Sequence, residues 1–354
     1  MDYRLKFFSA LNMKYTISFL FLWPSPLQHD FNCDYCSRRI DRLTFFWISP
    51  QDIRKLRAGI RRSDLFVSSN IWNPYTIIGL VLCRLLGDKI IVWSEFNYFR
   101  PGLGSAVKYT LMRIISAHVD AFFIQGLLQK NALTKLGVPP EKIFMANEYP
   151  AQVYSEAKEQ RVEGLQISQT ASVVLFIGRL VEFKGVEYLI RAFTLIEQKY
   201  DDTTLLIVGD GPLRSHLETL AKTLGTKSIM FLGRVTDTQK AHLLNRCTIV
   251  VVPSIATRKA REGSGPLVVL EALSAGKAVV GTTALGGSGA FLQNGVNGFI
   301  VPEKDANALA QKIERLLANP IPASRVLSTF SRIRGVEFQV EQFQNAVNHA
   351  LAQP

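Results

Sequence analysis

Two carboxylates and a glycine loop stand together in REGSGPLVVLEALSAGKAVV, residues 261–280: Glu262, then Gly263, Ser264 and Gly265, then an apolar run carrying Glu271. A helix that opens just after such a loop leaves its first backbone N–H groups without partners and concentrates partial positive charge there. An anion, phosphate above all, fits that environment. Gly263 and Gly265 let the backbone approach closely, while Leu267, Val268, Leu270, Ala272 and Leu273 form the apolar stripe of a helix that Gly276 ends. Glu271 is then expected about two turns below the loop, where a carboxylate accepts hydrogen bonds from sugar or ribose hydroxyls. The same segment also reads as a buried helix with one solvated glutamate.

A second constellation is FIGRLVEFKGVEYLIRAF, residues 176–193. Gly178 permits a turn after a strand, and Arg179 and Lys184 bracket the start of a helix whose stripe is Val186, Leu189, Ile190 and Phe193. Two cations beside a helix start suit a diphosphate and neutralise it without a metal. LLIVGDGPLRSHL then places Gly209, Asp210, Gly211 and Pro212 at another strand end. This is not the dinucleotide GxGxxG, because Arg214 stands at the third glycine position, and a nicotinamide enzyme is disfavoured. FLGRV, with Arg234, and VVPS, with Ser254, end two further strands on the same side.

The elements that must position these residues form two rhythms. In the first half, strand candidates at residues 15–22, 65–68, 89–92, 121–124 and 142–146 alternate with helix candidates; after a polar stretch the pattern restarts at 172–177, 204–208, 228–231, 248–252, 278–281 and 298–301. Alternation of this kind predicts parallel sheets covered by helices. Two doubly wound sheets facing one cleft is the simplest architecture, with ligands outside the carboxyl ends of the strands. The expected divisions are 1–156, a linker at 157–171, 172–335, and a C-terminal helix at 336–354 that returns to the first domain.

Composition narrows the classes. The chain of 354 residues has the make-up of an ordinary globular protein with room for two cores. Of its net +12, residues 1–150 supply two thirds, with 19 Lys and Arg against 11 Asp and Glu. Clusters such as Arg38-Arg39, Arg54-Lys55-Arg57 and Arg61-Arg62 suit anionic lipid headgroups or a merely solvated basic face. They are not interleaved with aromatics, so nucleic acid is not an expected partner. Cys33, Cys36, Cys83 and Cys247 are too few and scattered for a disulfide framework, which favours a reducing compartment. The apolar run at 15–23 is too short to span a bilayer and reads as a buried first strand. Met13-Lys14 ahead of it reads as the more natural start.

These motifs, in this order, resemble the family 4 glycosyltransferases, strongly over residues 172–319 and more weakly over AHVDAFFIQGLLQKNALTKLGVPPEKIFMANEYP before them. The resemblance implies a GT-B fold, α/β, with two facing Rossmann-like domains and an interdomain cleft, and transfer with retention of anomeric configuration. By it Arg179 and Lys184 bind the donor diphosphate, the backbone near Leu267 and Val268 caps the distal phosphate, Glu271 holds the ribose hydroxyls, and Arg234 lies where the base is held. Three departures stand out. Glu262 and Glu271 have eight residues between them where the family has seven, so that Gly263 occupies the expected glutamate position; no Pro-Glu follows Gly286-Gly287; and the first strand runs into WPSP where relatives carry a glycine pair. In the first half SEFNYFRPG offers Glu95, Asn97 and Arg100, with Glu95 a candidate for placing the acceptor or the sugar, and His118 falls in a helical segment with a structural role.

The resemblance also implies a hexosyltransferase-type enzyme that takes a nucleotide-diphosphate sugar, needs no metal or other cofactor, and serves a glycan or lipid-linked acceptor in bacterial surface polysaccharide or lipopolysaccharide assembly. The setting is cytoplasmic, with peripheral contact at an anionic membrane. The alternatives are a catalytically impaired binding subunit of the same fold and a sugar-nucleotide epimerase.

Overall fold

The computed structural model describes residues 7, 9–11, 13–15, 50–69, 71, 74–94, 105–146, 149–150, 154, 160–163, 165, 167–168, 170–257 and 266–352. The chain divides into two compact units, one of Met1–Asn147 with Gly335–Pro354 and one of Glu148–Arg334.

In the first unit helices and strands alternate: α1 (Pro50–Ile60), β1 (Leu65–Ser69), α2 (Pro74–Leu86), β2 (Lys89–Ser94), α3 (Ser105–Ala117), β3 (Ala121–Ile124), α4 (Leu127–Lys135) and β4 (Ile143–Met145). The strands form a parallel sheet in the order β1-β2-β3-β4. In the central strands the apolar runs at residues 90–92 and at Ala121–Ile124 follow from burial on both faces. With a side-chain period of two, Ile90, Val92, Phe122 and Ile124 face one way and join Leu80, Cys83, Met112, Ile115 and Leu133 of the helices, while Ile91, Ala121 and Phe123 face the other. There α11 (Val336–Ala352) covers the sheet with Val340, Phe343 and Val347, and Phe7 and Leu11 complete the cluster. Edge-to-face ring pairs hold it, Phe7 on Trp93 at 5.3 Å and Phe123 on Phe343 at 5.3 Å. Asp120 locks the helical side: it accepts from Ile90 N at 2.8 Å and pairs with Arg84 of α2 at 2.9 Å. Of the strand expected at 15–22, all but Tyr15 lies outside the described residues.

The second unit holds β5 (Ser172–Ile177), α5 (Val186–Glu197), β6 (Thr203–Val208), α6 (Arg214–Thr223), β7 (Ile229–Gly233), α7 (Asp237–Arg246), β8 (Ile249–Val252), α8 (Val268–Ser274), β9 (Ala278–Thr282), β10 (Gly298–Val301), α9 (Ala306–Ala318) and α10 (Ala323–Phe330). Its parallel sheet runs β10-β9-β8-β5-β6-β7. The chain winds outward from β5 to β7, then crosses to β8 and winds the other way, so strand order reverses between β5 and β8. A crevice outside the carboxyl ends of the strands at such a reversal is where doubly wound sheets take ligands. Val174, Phe176, Leu205 and Ile207 pack against α5, α6 and α9, and Val173, Leu175, Leu206 and Val208 against α7, α8 and α10.

The division corrects the expected one. The boundary falls at Asn147/Glu148, ahead of the linker placed at 157–171, because Val162, Leu165 and Ile167 of that stretch pack on the core of the second unit and Gln160 N donates to Thr238 O at 3.2 Å.

Candidate functional site

The loops at the strand reversal are knitted together by their backbones. After β5, Gly178 N donates to Val208 O at 3.0 Å and Leu180 N to Asp210 O at 2.9 Å, and Leu213 N returns to Leu180 O at 3.1 Å. Gly209, at φ 127°, is required here: a Cβ at that position would collide with the Gly178 carbonyl. A Cβ on Gly211 would meet the Leu180 carbonyl. The glycines of GDGP therefore serve the close approach of two strand-end loops, and Asp210 accepts from Gly211 N at 2.8 Å within its own turn.

On this frame the chain makes a short 3-10 turn, Glu182–Lys184, before Gly185 opens α5. Gly185 has φ 64° and lies so near the Pro253 carbonyl that no side chain fits. Ile255 N donates to Phe183 O at 2.8 Å, which joins the loop after β5 to the loop after β8 across the reversal. Ser254 is buried between them and its carbonyl accepts from Thr282 Oγ1. Arg179 is exposed and Lys184 half-buried. Both lie over the ring of Phe183, Arg179 Cζ at 5.9 Å and Lys184 Nζ at 5.4 Å from its centre. The ring face attracts and orients both cations at the mouth of the reversal. Arg234, exposed after β7, follows Gly233 at φ 70°.

Glu271 lies in the first turn of α8, because the helix opens only at Val268 with Leu267 as its N-cap. Among the described residues no side chain caps that end. The expected stripe is also corrected: all seven residues of α8 are buried, Glu271 and Ser274 among them. Gly276 ends it in the expected place, at φ 69°, with Gly276 N on Leu273 O and Lys277 N on Ala272 O.

Burying a carboxylate demands compensation. Lys240 Nζ lies 2.8 Å from Glu271 Oε1 and the Tyr154 hydroxyl donates to the same oxygen at 3.1 Å. Thr236 and Gln239 form a capping box that fixes the start of α7 and places Lys240 in its first turn. Burial alone would lower the lysine's pKa, but the Glu271 carboxylate, with Tyr154, outweighs it and holds the ammonium charged well above its usual range. Burial pushes the Tyr154 hydroxyl up, so it stays a donor. Tyr154 is anchored in turn: its N–H donates to Ser274 Oγ at 3.1 Å, and its carbonyl accepts from Asn245 Nδ2 at 2.9 Å.

The structure thus brings Gly178, Arg179, Lys184, Gly209, Asp210, Gly211, Arg234, Ser254, Leu267, Val268 and Glu271 into one unit, on loops or helix starts that follow its strands. Glu95, Asn97, Arg100, Glu262, Gly263, Ser264 and Gly265 lie outside the described residues. Sequence reasoning passed over Phe183, Lys240 and Tyr154. Lys240 had left a signal, since it shares a helix face with Leu243 and Leu244, which are buried. Tyr154 had none, because its partners lie more than eighty residues away. Among the described residues no group of three His, Cys, Asp or Glu is placed to hold a metal ion.

Two α/β units with parallel sheets give the fold of the GT-B glycosyltransferases: Anabaena HepE in complex with UDP matches 84% of this chain and 82% of its own, with a TM-score of 0.69 at 18% identity. Residues 157–332 match the family described as glycosyl transferases group 1. An uncharacterized glycosyltransferase of Methanocaldococcus jannaschii is 34% identical over 43% of this chain and 37% of its own length. The lipopolysaccharide 1,2-N-acetylglucosaminetransferase of Salmonella typhimurium is 28% identical over 50% of this chain and 47% of its own. The chain spans less than half the length of these curated relatives.

Proposed function

We propose that the protein is a retaining, family 4 hexosyltransferase that moves a sugar from a nucleotide diphosphate to a glycan or lipid-linked acceptor in bacterial surface polysaccharide or lipopolysaccharide assembly. The observation that carries this reading is the pair of cations, Arg179 and Lys184, displayed around Phe183 at the strand reversal of the second sheet. The domain match and the lipopolysaccharide enzyme among the relatives support it.

In this reading the anomeric carbon loses its bond to the diphosphate oxygen and gains one to the acceptor oxygen on the same face. The acceptor proton passes to the departing phosphate oxygen, which leaves as nucleoside diphosphate. Arg179 and Lys184 stabilise the negative charge that grows on that oxygen, with no metal required. Glu271 Oε1 is held by Lys240 and Tyr154, and Oε2 is assigned to the ribose hydroxyls. Gly178, Gly209, Asp210, Gly211, Arg234, Ser254, Leu267 and Val268 complete the donor side. Glu262, Gly263, Ser264 and Gly265 are assigned to the donor phosphate and sugar, and Glu95 to the acceptor, on sequence grounds alone. A cytoplasmic setting with peripheral contact at an anionic membrane belongs to the same reading and rests on the basic first half.

The test is nucleotide release from a panel of UDP-, GDP- and ADP-sugars, with and without lipid-linked acceptors, in the full chain and in Arg179→Ala. Acceptor-dependent release that Arg179→Ala abolishes is the expected result. Donor binding with no turnover across the panel would mark a binding subunit, and an altered sugar nucleotide formed without acceptor an epimerase.

A further inference from the structure

We propose that the outer face of α2, α3 and α4 in the first unit is the surface that docks on an anionic membrane. These three helices follow β1, β2 and β3 of a parallel sheet whose strands are neighbours in sequence order. Right-handed crossovers therefore place them side by side on one face. Their inner sides supply Leu80, Cys83, Met112, Ile115 and Leu133 to one core. The Arg84–Asp120 pair, with Arg84 also donating to the His118 carbonyl, ties the end of α2 to the end of α3.

Their outer sides are apolar where solvent-facing helices are polar. Ten large hydrophobic residues are exposed among the described residues, and six of them lie here: Val81, Leu85, Val107, Leu111, Ile114 and Leu127. Val107, Leu111 and Ile114 recur at the spacing of a single helix face, as do Val81 and Leu85. Leu85 is 76% and Val107 75% exposed. A concentration of this kind marks an interaction surface, whereas scattered apolar residues do not.

Charge identifies the partner. PYTIIGLVLCRLL, SAVKYTLMRIISA and LLQKNALTK contain no Asp or Glu. Arg113, Lys130 and Lys135 are exposed beside the apolar residues, and Arg57, Arg61 and Arg62 extend the basic surface along α1 and the turn after it. A second copy of this face would set these cations against one another. A membrane with anionic headgroups instead receives both features, apolar side chains at the acyl boundary and cations among the phosphates. No described helix is long and apolar enough to cross the bilayer, so the contact is one of lying on the surface. The inference deepens the peripheral setting proposed above and rests on it for the choice of partner, but not on the transfer reaction.

The full chain is sedimented with vesicles of phosphatidylcholine and phosphatidylglycerol, and of phosphatidylcholine alone, at low and high salt. The wild type is expected to bind the anionic vesicles, less so in high salt. Leu111→Glu with Ile114→Glu lowers the partition coefficient about tenfold or more, while Leu195→Glu, an exposed site on α5, leaves it unchanged. Equal binding by L111E/I114E with the thermal melt intact overturns the assignment of this face and leaves the membrane setting standing. No vesicle binding by the wild type overturns both. A concentration-dependent dimer that L111E/I114E abolishes, without vesicle binding, also overturns the proposal and makes the face an interface between copies. Nucleotide release measured on the same samples scores the transfer reaction separately.

Discussion

Lys240 Nζ sits 2.8 Å from Glu271 Oε1 with the lysine side chain 18% and the glutamate 8% exposed, so the acid on the candidate donor helix is neutralised from beneath. A pair this enclosed is costly to break because the surviving charge loses its partner and stays out of water. Lys240→Ala is expected to destabilise the second unit by about 3 kcal/mol, read in urea unfolding. Tyr154→Phe, which removes one of two donors to the same oxygen, costs about 1 kcal/mol. If Oε2 binds ribose, Lys240→Arg restores stability more fully than it restores donor KM, since a longer fork displaces the carboxylate. Equal recovery of both would assign the lysine a structural role alone.

Arg179 is expected to bear on activity and not on stability. Arg179 is exposed and its contact is a ring face, so Arg179→Ala is expected to leave the thermal midpoint unchanged. Loss of one charge-assisted contact to a diphosphate weakens nucleotide affinity by about tenfold to a hundredfold. Phe183→Leu tests the orienting ring: it keeps both cations, and a smaller loss of affinity, on the order of threefold, is expected from the cation–π attraction. Isothermal titration with UDP, GDP and ADP measures all three variants.

Much of this arrangement was legible in the sequence. Strands 172–177 and 298–301 fall where periodicity placed them, as do the end of α8 at Gly276 and the two cations at the start of α5. They are local features, set by apolar runs, glycines and helix starts within a few residues of one another. What sequence missed is long-range. Glu271 reads as a solvated or ligand-facing acid until Tyr154 and Lys240 are brought to it from 117 and 31 residues away. The stretch 157–171 reads as a linker because it is polar, yet Val162, Leu165 and Ile167 bury their side chains on the second unit. The glycines of GDGP read as ligand contacts, and their first duty is to let one loop touch another.

Gly209 and Gly225 separate that duty from backbone preference. Both have positive φ, 127° and 72°, but a Cβ on Gly225 meets nothing within 4 Å, while one on Gly209 collides with the Gly178 carbonyl. Gly225→Ala is expected to cost about 1 kcal/mol, the price of left-handed backbone alone. Gly209→Ala must also push apart the loops after β5 and β6, and a loss of about 3 kcal/mol or more, in the range of other severe backbone strain, is expected with weakened nucleotide binding. Equal costs at the two sites would show that the loops yield freely.

Alkaline pH tests the packing of each unit through its own thiol. Cys83 in the first and Cys247 in the second are buried, and burial pushes both from an ordinary 9.0 to about 12. The unfolded chain therefore releases these protons first. Stability from keeping the thiols neutral is complete below about pH 9 and is lost as pH rises toward 12, at about 1.4 kcal/mol per pH unit for each thiol. Cys247→Ala is expected to flatten the fall of stability between about pH 9 and pH 11 by one such slope for the second unit, at some cost from the smaller side chain that does not vary with pH. Urea unfolding of wild type and variant across that range measures it. Parallel curves would mean that Cys247 ionises freely in the folded protein and that the sheet face beneath α7 admits water.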